Sequence, residues 1–499
     1  MLRVDSNGQT GTSAIDVTTG ATVSNLVGPL DYSFRYYTIL PDPATTPVAS
    51  GNESATAVPV PGANQFTVAS FNMQRFFDTT NDPAIGEPVL TGTAFNNRLN
   101  KASLAIRNVM RTPDVIGVQE AENLATLQAV AAKVNADAVA ASQPDPSYVA
   151  YLVEGNDVGG IDVGFLVKSS RVTVVDVTQA GAGTLFINPD TSTELLNDRP
   201  PLILRATIAG QAFTVIVNHL RSLNGVDSVT VGSNGWVTAG TRVRAKRRAQ
   251  AEFLANLIQT RQTASATERI VVLGDLNAFQ FNDGYVDVVG TIRGIPTPVN
   301  QVVASSSDLV NPDLTNLVDT VTAAQRYSYV FGGSAQVLDH VLVNAAMLPM
   351  VGGYAIARSN ADFPEVFRND STRPERLSDH DMPVAYFNLP SAPADVTSQF
   401  TIVRTGLLFS RVTGTFNQTI TITNKTASTI SGPFHLRFGG LTPGVTLANA
   451  TGSTGGAPYI TIPGVSSLGA GASASVGVRF ANPAFAAINY SLSVLAGLF

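Results

Sequence analysis

The chain has 499 residues, enough for about three domains, and its 44% hydrophobic content is ample for buried cores. Only 14% of residues are charged, Gly and Pro number 42 and 28, and the net charge is −6, a balance that excludes a coiled coil, a helical repeat, long disorder and a generally basic nucleic-acid coat protein. The absence of cysteine excludes a disulfide framework, a thiolate metal site and a Cys nucleophile, leaving carboxylates, amides and four histidines to hold any metal.

Residues 1–62 carry two basic and five acidic residues. Their segment TVSNLVGPLDYSFRYYTIL predicts two strands of a small β unit, resembling the end of an oligonucleotide-binding barrel, and the Pro-rich run that follows reads as a loop or linker. The N-terminal MLRVDSNGQTG lacks the features of a secretory signal, and the abrupt opening in strand-like sequence suggests a chain cut from a longer precursor. Residues 63–390 hold 24 basic and 31 acidic residues and alternate strand-like with helix-like segments, which predicts a mixed α/β domain. Its expected strands are 66–71, 114–119, 161–167, 213–218, 269–274, 337–343 and 383–387, with helices over 98–110 and 242–259. Residues 391–499 have five basic residues and one acidic residue, with period-two stretches such as FNQTITITN and SASVGVRF between turns, the pattern of a β-sandwich. No apolar run approaches the ~18 residues needed to span a bilayer.

Polar groups recur where the middle domain's strands end. Three of the four histidines lie there, each beside a carboxylate or carboxamide: Asn218-His219, Asp339-His340 and Asp379-His380. Asn72, Glu120, Asp275 and Asn277 sit at similar ends. One such carboxylate is ordinarily a turn former or cap, but six polar ends in one domain point to a shared site. Oxygen ligands without thiolate suit a hard cation such as Mg²⁺, with Glu120 as the first ligand, and a histidine oriented by Asp suits acid–base work on water. Together these are the parts of metal-assisted phosphoester hydrolysis.

The order and wording of FTVASFN, PDVIGVQEAEN, GGIDVGFLV, TVIVNHLRS, VVLGDLNAF, YSYVFGGSAQVLDHVLVN and RLSDHDMPVAYF resemble the endonuclease/exonuclease/phosphatase superfamily, the deoxyribonuclease I-like fold. The resemblance implies a four-layer α/β sandwich over about 65–388, and the tail separately resembles, in general character, bacterial immunoglobulin-like or adhesion-type all-β sandwiches. It implies Glu120, Asn72 and Asp379 at the metal. His219 would stabilise the phosphorane or assist the leaving group, and Asp275 would position or activate the attacking water. Asn277 would hold a phosphate oxygen, His380 would be the base or a phosphate-stabilising imidazole, and Asp339 would orient His380. Arg221 and Ser222 are phosphate candidates from their place after His219, and Asn360 and Asp362, in the stretch before SDH, are either secondary braces of the same site or loop caps. RVRAKRR (242–248) is either a phosphate grip or a solvated helix face, while His340 and His435 read as structural.

The motifs look most like extracellular bacterial nucleases with appended β domains. The leading reading is a secreted Mg²⁺-dependent nuclease acting on DNA, with RNA as a second substrate and Mn²⁺ or Ca²⁺ as other ions. A phosphodiesterase on lipid or inositol phosphates is the alternative, against which no exposed aromatic-rich hairpin is evident. An adhesion protein with a decayed site is the third reading, opposed by the intact motif set. Location outside the cell or at its surface, with polymer or surface contact through residues 391–499, follows from architecture alone.

Overall fold

The structure, a computed structural model, describes residues 2–389 and 393–497. Its contacts divide it into two units, one ending at Asn388 and one beginning at Leu389.

The first unit is built on two six-stranded sheets. One runs Val351–Ala357, Met382–Asn388, Gln65–Phe76, Val115–Ala121, Asp162–Lys168, Tyr148–Leu152 in spatial order. The other runs Val172–Gln179, Leu202–Ile208, Gln211–His219, Ile270–Asp275, Asp339–Val343, Thr315–Asn316. The central strands are near-continuous runs of Val, Ile, Leu and Phe because both of their faces are covered. Between the sheets the rings of Phe66 and Phe213 lie 5.2 Å apart. Gly117 keeps the seam tight, since a Cβ there would stand 2.3 Å from Leu273 Cδ1 and 3.0 Å from Val217 Cγ2.

Helices α1 (Gly92–Leu104) and α2 (Leu124–Ala140) cover the outer face of the first sheet. Helices α3 (Ala239–Ala264) and α4 (Val288–Arg293) cover the second. The result is the four-layer α/β arrangement expected for this region. Each helix starts on a side-chain cap, Thr91, Asn123, Thr238 and Asp287, and the Thr238–Thr241 capping box starts the longest. All seven expected strands are present, and the two expected helices begin three to six residues earlier than the hydrophobic pattern suggested, at their caps. α2, an Ala-rich helix without a clean polar face, was not singled out in the sequence.

The N-terminal stretch forms short strands, including a three-stranded sheet of Leu2–Val4, Tyr36–Ile39 and Leu30–Ser33. The Pro-rich run after it is irregular but stitched to the first sheet's surroundings: Thr56 exchanges backbone hydrogen bonds with Arg358, and Val58 is buried and donates to Val109 O.

The second unit holds two five-stranded antiparallel groups. Ala394–Asp395, Ser491–Ala496, Phe434–Gly439, Ala457–Thr461 and Gly452–Thr454 form one, and Thr415–Asn424 and Ser473–Ala481 are the spine of the other. Ser473–Ala481 alternates exposed and buried residues along its length, and its inward Val478 and Phe480 join Ile420, Phe434 and Phe438 in the core. His435 is structural as expected, hydrogen-bonded to Thr461 Oγ1 and Gly497 O.

Candidate active site

Strand register does most of the assembly. Gln211–His219 pairs in parallel with Ile270–Asp275, and Ile270–Asp275 pairs antiparallel with Asp339–Val343, so that His219, Asp275 and Asp339 fall side by side at one end of the second sheet. The first sheet brings Asn72 and Glu120 to the same end from neighbouring parallel strands. Backbone irregularity aims them. The pairing slips around Asn72 and Glu120, and Gln74, Arg75, Glu120 and Asn277 all hold left-handed φ values between 47° and 62°. Such conformations cost non-glycine residues free energy and gather at functional sites. Gly274 in GDLN has φ 134°, and a Cβ there would lie 2.0 Å from Asn218 O, so only glycine lets the neighbouring strand close up beside Asp275.

Asp275 is the hub. Asn72 Nδ2 donates to its Oδ2 and to Glu120 Oε1, both at 3.1 Å. His219 Nε2 stands 3.5 Å from Asp275 Oδ2 and 3.8 Å from Glu120 Oε1, and His380 Nε2 is 3.9 Å from Asp275 Oδ2. Asp275 Oδ1 accepts the Asn277 N–H at 2.8 Å. His380 Nδ1 donates to Asp339 Oδ2 at 2.7 Å, and Asp379 Oδ1 lies 4.0 Å from His380 Nε2. Thus Asn72, Glu120, His219, Asp275, Asp339, Asp379 and His380 converge.

The other sequence candidates divide. Asn277 is adjacent, with one amide hydrogen already given to Leu220 O at 3.0 Å. Asn360 braces the site from behind, its Nδ2 donating to His380 O at 2.7 Å and its Oδ1 accepting Ser378 N–H. Asp362 accepts the Tyr327 hydroxyl at 2.9 Å, one step from Ser328. Arg221 is half-buried among Asp198, Arg199, Glu194 and Arg242, with no partner for its Nε, and Ser222 is exposed. Neither touches the converged cluster. His340 turns to the opposite face, where Ala278 O and the Asn316 side chain hold it.

Residues 242–248 are neither a solvated face nor a phosphate grip. Arg242 pairs with Glu194, Lys246 with Asp198 at 2.9 Å, Arg248 with Glu252 at 3.5 Å, and Arg244 lies over the Tyr285 ring. Arg247 is buried and ties two site loops together, donating to Arg221 O, Asn277 O and Asp283 Oδ2. Three of the acids that neutralise the run, Glu194, Asp198 and Asp283, are distant in sequence, so neither expectation saw them. Arg247→Met should cost about 3–5 kcal/mol, the scale for breaking a buried ion pair; an unchanged urea midpoint would refute this.

Four contributors escaped sequence analysis. Ser328 Oγ donates to Asp339 Oδ2 at 2.7 Å while accepting the N–H groups of Leu338 and Asp339. Tyr329 lies with its ring centroid 4.8 Å from that of His380. Asp381 accepts from Ser359 and Asn360 N–H groups and pairs with Arg358 at 3.1 Å, clamping the segment after His380. Lys101 is wholly buried, and its Nζ donates to the carbonyls of Phe367, Asp370, Arg373 and Glu375. The one legible signal was Lys101, a cation on the apolar stripe of RLNKASLAI.

The electrostatics separate the two histidines. Burial, with Arg199 and His380 adding like charge, pushes His219 well below the usual imidazole range. Burial acts on His380 in the same direction, but the carboxylates of Asp339 and Asp275 and the Asp339 hydrogen bond outweigh it and hold His380 well above that range. Burial pushes Asp275 up to about 7, against the pull of His380. Glu120, His219 and Asp275 present ligand atoms within 4.8 Å of one another, as do Asp275, Asp339 and His380. Two close carboxylates with an amide beside them and no Lys or Arg within ion-pair distance fit a hard divalent cation.

The sequence profile of the Endonuclease/Exonuclease/phosphatase family matches residues 67–371. No curated protein matches the chain. Among solved structures, zebrafish (D. rerio) TDP2 complexed with single-strand DNA product is similar at 17% identity and TM-score 0.38, covering 65% of this chain and 99% of that one. The human Nocturnin catalytic domain with bound sulfate is similar at 14% and 0.37, covering 65% and 94%. A mannosyl-6-phosphatase of Bacteroides thetaiotaomicron is similar at 12% and 0.37, covering 64% and 98%. With the profile spanning more than half of its length and carrying every converged strand up to Asp339, the chain belongs to the endonuclease/exonuclease/phosphatase family and is a phosphoester hydrolase.

Proposed function

We propose that the protein is a metal-dependent nuclease that hydrolyses phosphodiester bonds of DNA, with RNA as a second substrate. The observation that carries this reading is the convergence of Asn72, Glu120, His219, Asp275 and His380 at one point, with cations left over around it. Arg75 follows Asn72 and gives its N–H to Glu120 Oε2, Arg98 donates to Met73 O and Gln74 O, and Arg221 follows His219. Among the described residues none of the three forms an ion pair with a carboxylate. The exposed Arg75 beside Glu120 suits a chain of phosphates, whose binding is dominated by such charges.

Glu120 and Asp275, with Asn72 alongside, are the residues to hold Mg²⁺, which when bound neutralises phosphate charge. The chain's own groups do the rest. Asp275, between the Nε2 atoms of His219 and His380, is placed to accept a proton from the attacking water. His380, kept protonated by Asp339, offers its Nε2 proton to a phosphate oxygen or the departing oxygen. His219, kept neutral, donates without adding repulsion to Arg199, and Asn277 has one amide hydrogen left for a phosphate oxygen.

The finer assignments accompany this reading: an immunoglobulin-like accessory domain over 391–499, and action outside the cell or at its surface. A lipid-headgroup phosphodiesterase is the second reading, favoured by apolar side chains exposed on loops after the catalytic strands, Val229, Val231 and Phe281. Plasmid and single-stranded DNA should be cut with Mg²⁺ and not with EDTA, and His380→Ala should lose at least ~100-fold, the scale of general acid–base help. Intact DNA beside released phosphocholine would transfer the proposal to the second reading.

A further inference from the structure

An aromatic hairpin that was not evident in the sequence stands beside the catalytic cluster. Tyr329–Phe331 pairs with Ser334–Gln336 across the turn Gly332-Gly333, both glycines at positive φ as a tight two-residue turn demands. Tyr329 and Phe331 are two residues apart on a strand, so their rings share a face. The planes are 12° apart and the centroids 6.5 Å apart. Tyr329 also bridges His380 through the backbone, with its ring 4.8 Å from the imidazole and inclined by 34°. Three rings therefore step outward from His380, and the last, Phe331, is 67% exposed at the tip.

Phe331 is largely exposed, and its aromatic neighbour among the described residues is Tyr329. Two rings in near-parallel planes, stepping outward from the group facing the scissile phosphate, match what a nucleobase needs. The base of the nucleotide bearing that phosphate can stack there without being read by hydrogen bonds. An acyl chain has no use for parallel ring planes.

We infer that Tyr329 and Phe331 form a stacking platform for the nucleobase next to the cleaved bond. This inference rests on the nuclease reading. The platform gives a requirement for a base at one position without a preference for which base, because every base has a stackable face.

The test walks a single tetrahydrofuran abasic residue across the cleavage site of single-stranded oligonucleotides, using wild type, Phe331→Ala and Phe331→Leu. With wild type, one abasic position should lower kcat/KM by about 5-fold to 150-fold, the range for one stacked base. Phe331→Ala should lower the rate on intact oligonucleotide by a similar factor and erase the abasic difference. Phe331→Leu should behave like Ala, since it keeps apolar surface but not a flat ring. Phe331 is exposed, so melting curves of the three proteins should coincide. If oligonucleotides are cleaved with no abasic effect, or Phe331→Leu behaves as wild type, the platform is wrong while the nuclease reading stands. If wild type cleaves no oligonucleotide, the nuclease reading itself fails and takes the platform with it. If Phe331→Ala instead loses pelleting with sphingomyelin vesicles, the hairpin is a lipid wedge and the inference is overturned.

Discussion

Asp275→Asn should abolish hydrolysis, by about 10³-fold or more in kcat/KM, and yet melt at a higher temperature than wild type in EDTA at pH 8. The loss of rate combines two effects each worth orders of magnitude, a missing proton acceptor and a missing metal ligand. The gain in stability follows from linkage. Burial pushes the folded-state pKa of Asp275 up to about 7 from the ordinary carboxylate value, so between roughly pH 4 and pH 7 the folded chain binds more protons than the unfolded chain. Stability from this group is fully present below pH 4 and is lost as pH rises through 7. Asparagine escapes that loss, keeps an oxygen for the Asn277 N–H and leaves the hub its size, at the expense of the acceptor for Asn72 Nδ2. The melting advantage should therefore be large at pH 8 and small near pH 4.5. Wild type should also gain melting temperature with Mg²⁺ and the variant should not. A variant that melts below wild type at both pH values in EDTA would refute the electrostatic account of this buried acid.

Lys101→Met should be nearly as damaging by a different route. The ammonium of Lys101 lies inside a cage of four carbonyls at 2.7–3.0 Å, all from the segment between Phe367 and Glu375, three residues before Ser378. Burial pushes its pKa down to about 8, which records how much of the charge's hydration the cage must replace. Methionine fills the space but gives those carbonyls no donor, and each orphaned buried acceptor costs about 1–3 kcal/mol. A loss of at least ~3 kcal/mol in urea unfolding is expected, with faster proteolysis of 365–376. A fall of about 10-fold in kcat should accompany it, because the caged segment delivers His380. Unchanged melting and proteolysis would leave Lys101 no role in shaping the site.

The strands that end in the cluster were legible because they are fully covered, and a hydrophobic run ending in a polar pair is conspicuous. GDLN and SDH therefore stood out in the sequence. What stayed hidden is whatever depends on distant partners. The acids that absorb residues 242–248 are Glu194, Asp198, Asp283 and Glu252, three of them remote in the chain, and no local reading matches them to Arg242, Lys246 and Arg247. Ser328 carries no local signal, and its role rests on the hydrogen bond to Asp339 eleven residues away. Phe331 resembled any strand phenylalanine, since exposure is a tertiary property. The Asp339–His380 pairing was readable through family resemblance, and the 2.7 Å geometry supplies what spacing alone could not.

Two of the converging groups, Asn72 and Glu120, come from one sheet, and His219, Asp275 and Asp339 come from the other. A cation held between Glu120 and Asp275 would act as a rivet through the sandwich as well as a reagent. Any change in the gap between the sheets is then felt as a change in grip. Gly117, whose missing side chain lets Leu273 and Val217 come close, sits in that gap on the strand that carries Glu120. The smallest residue of the core thus lies where the two sheets come close, and metal affinity would report on their spacing.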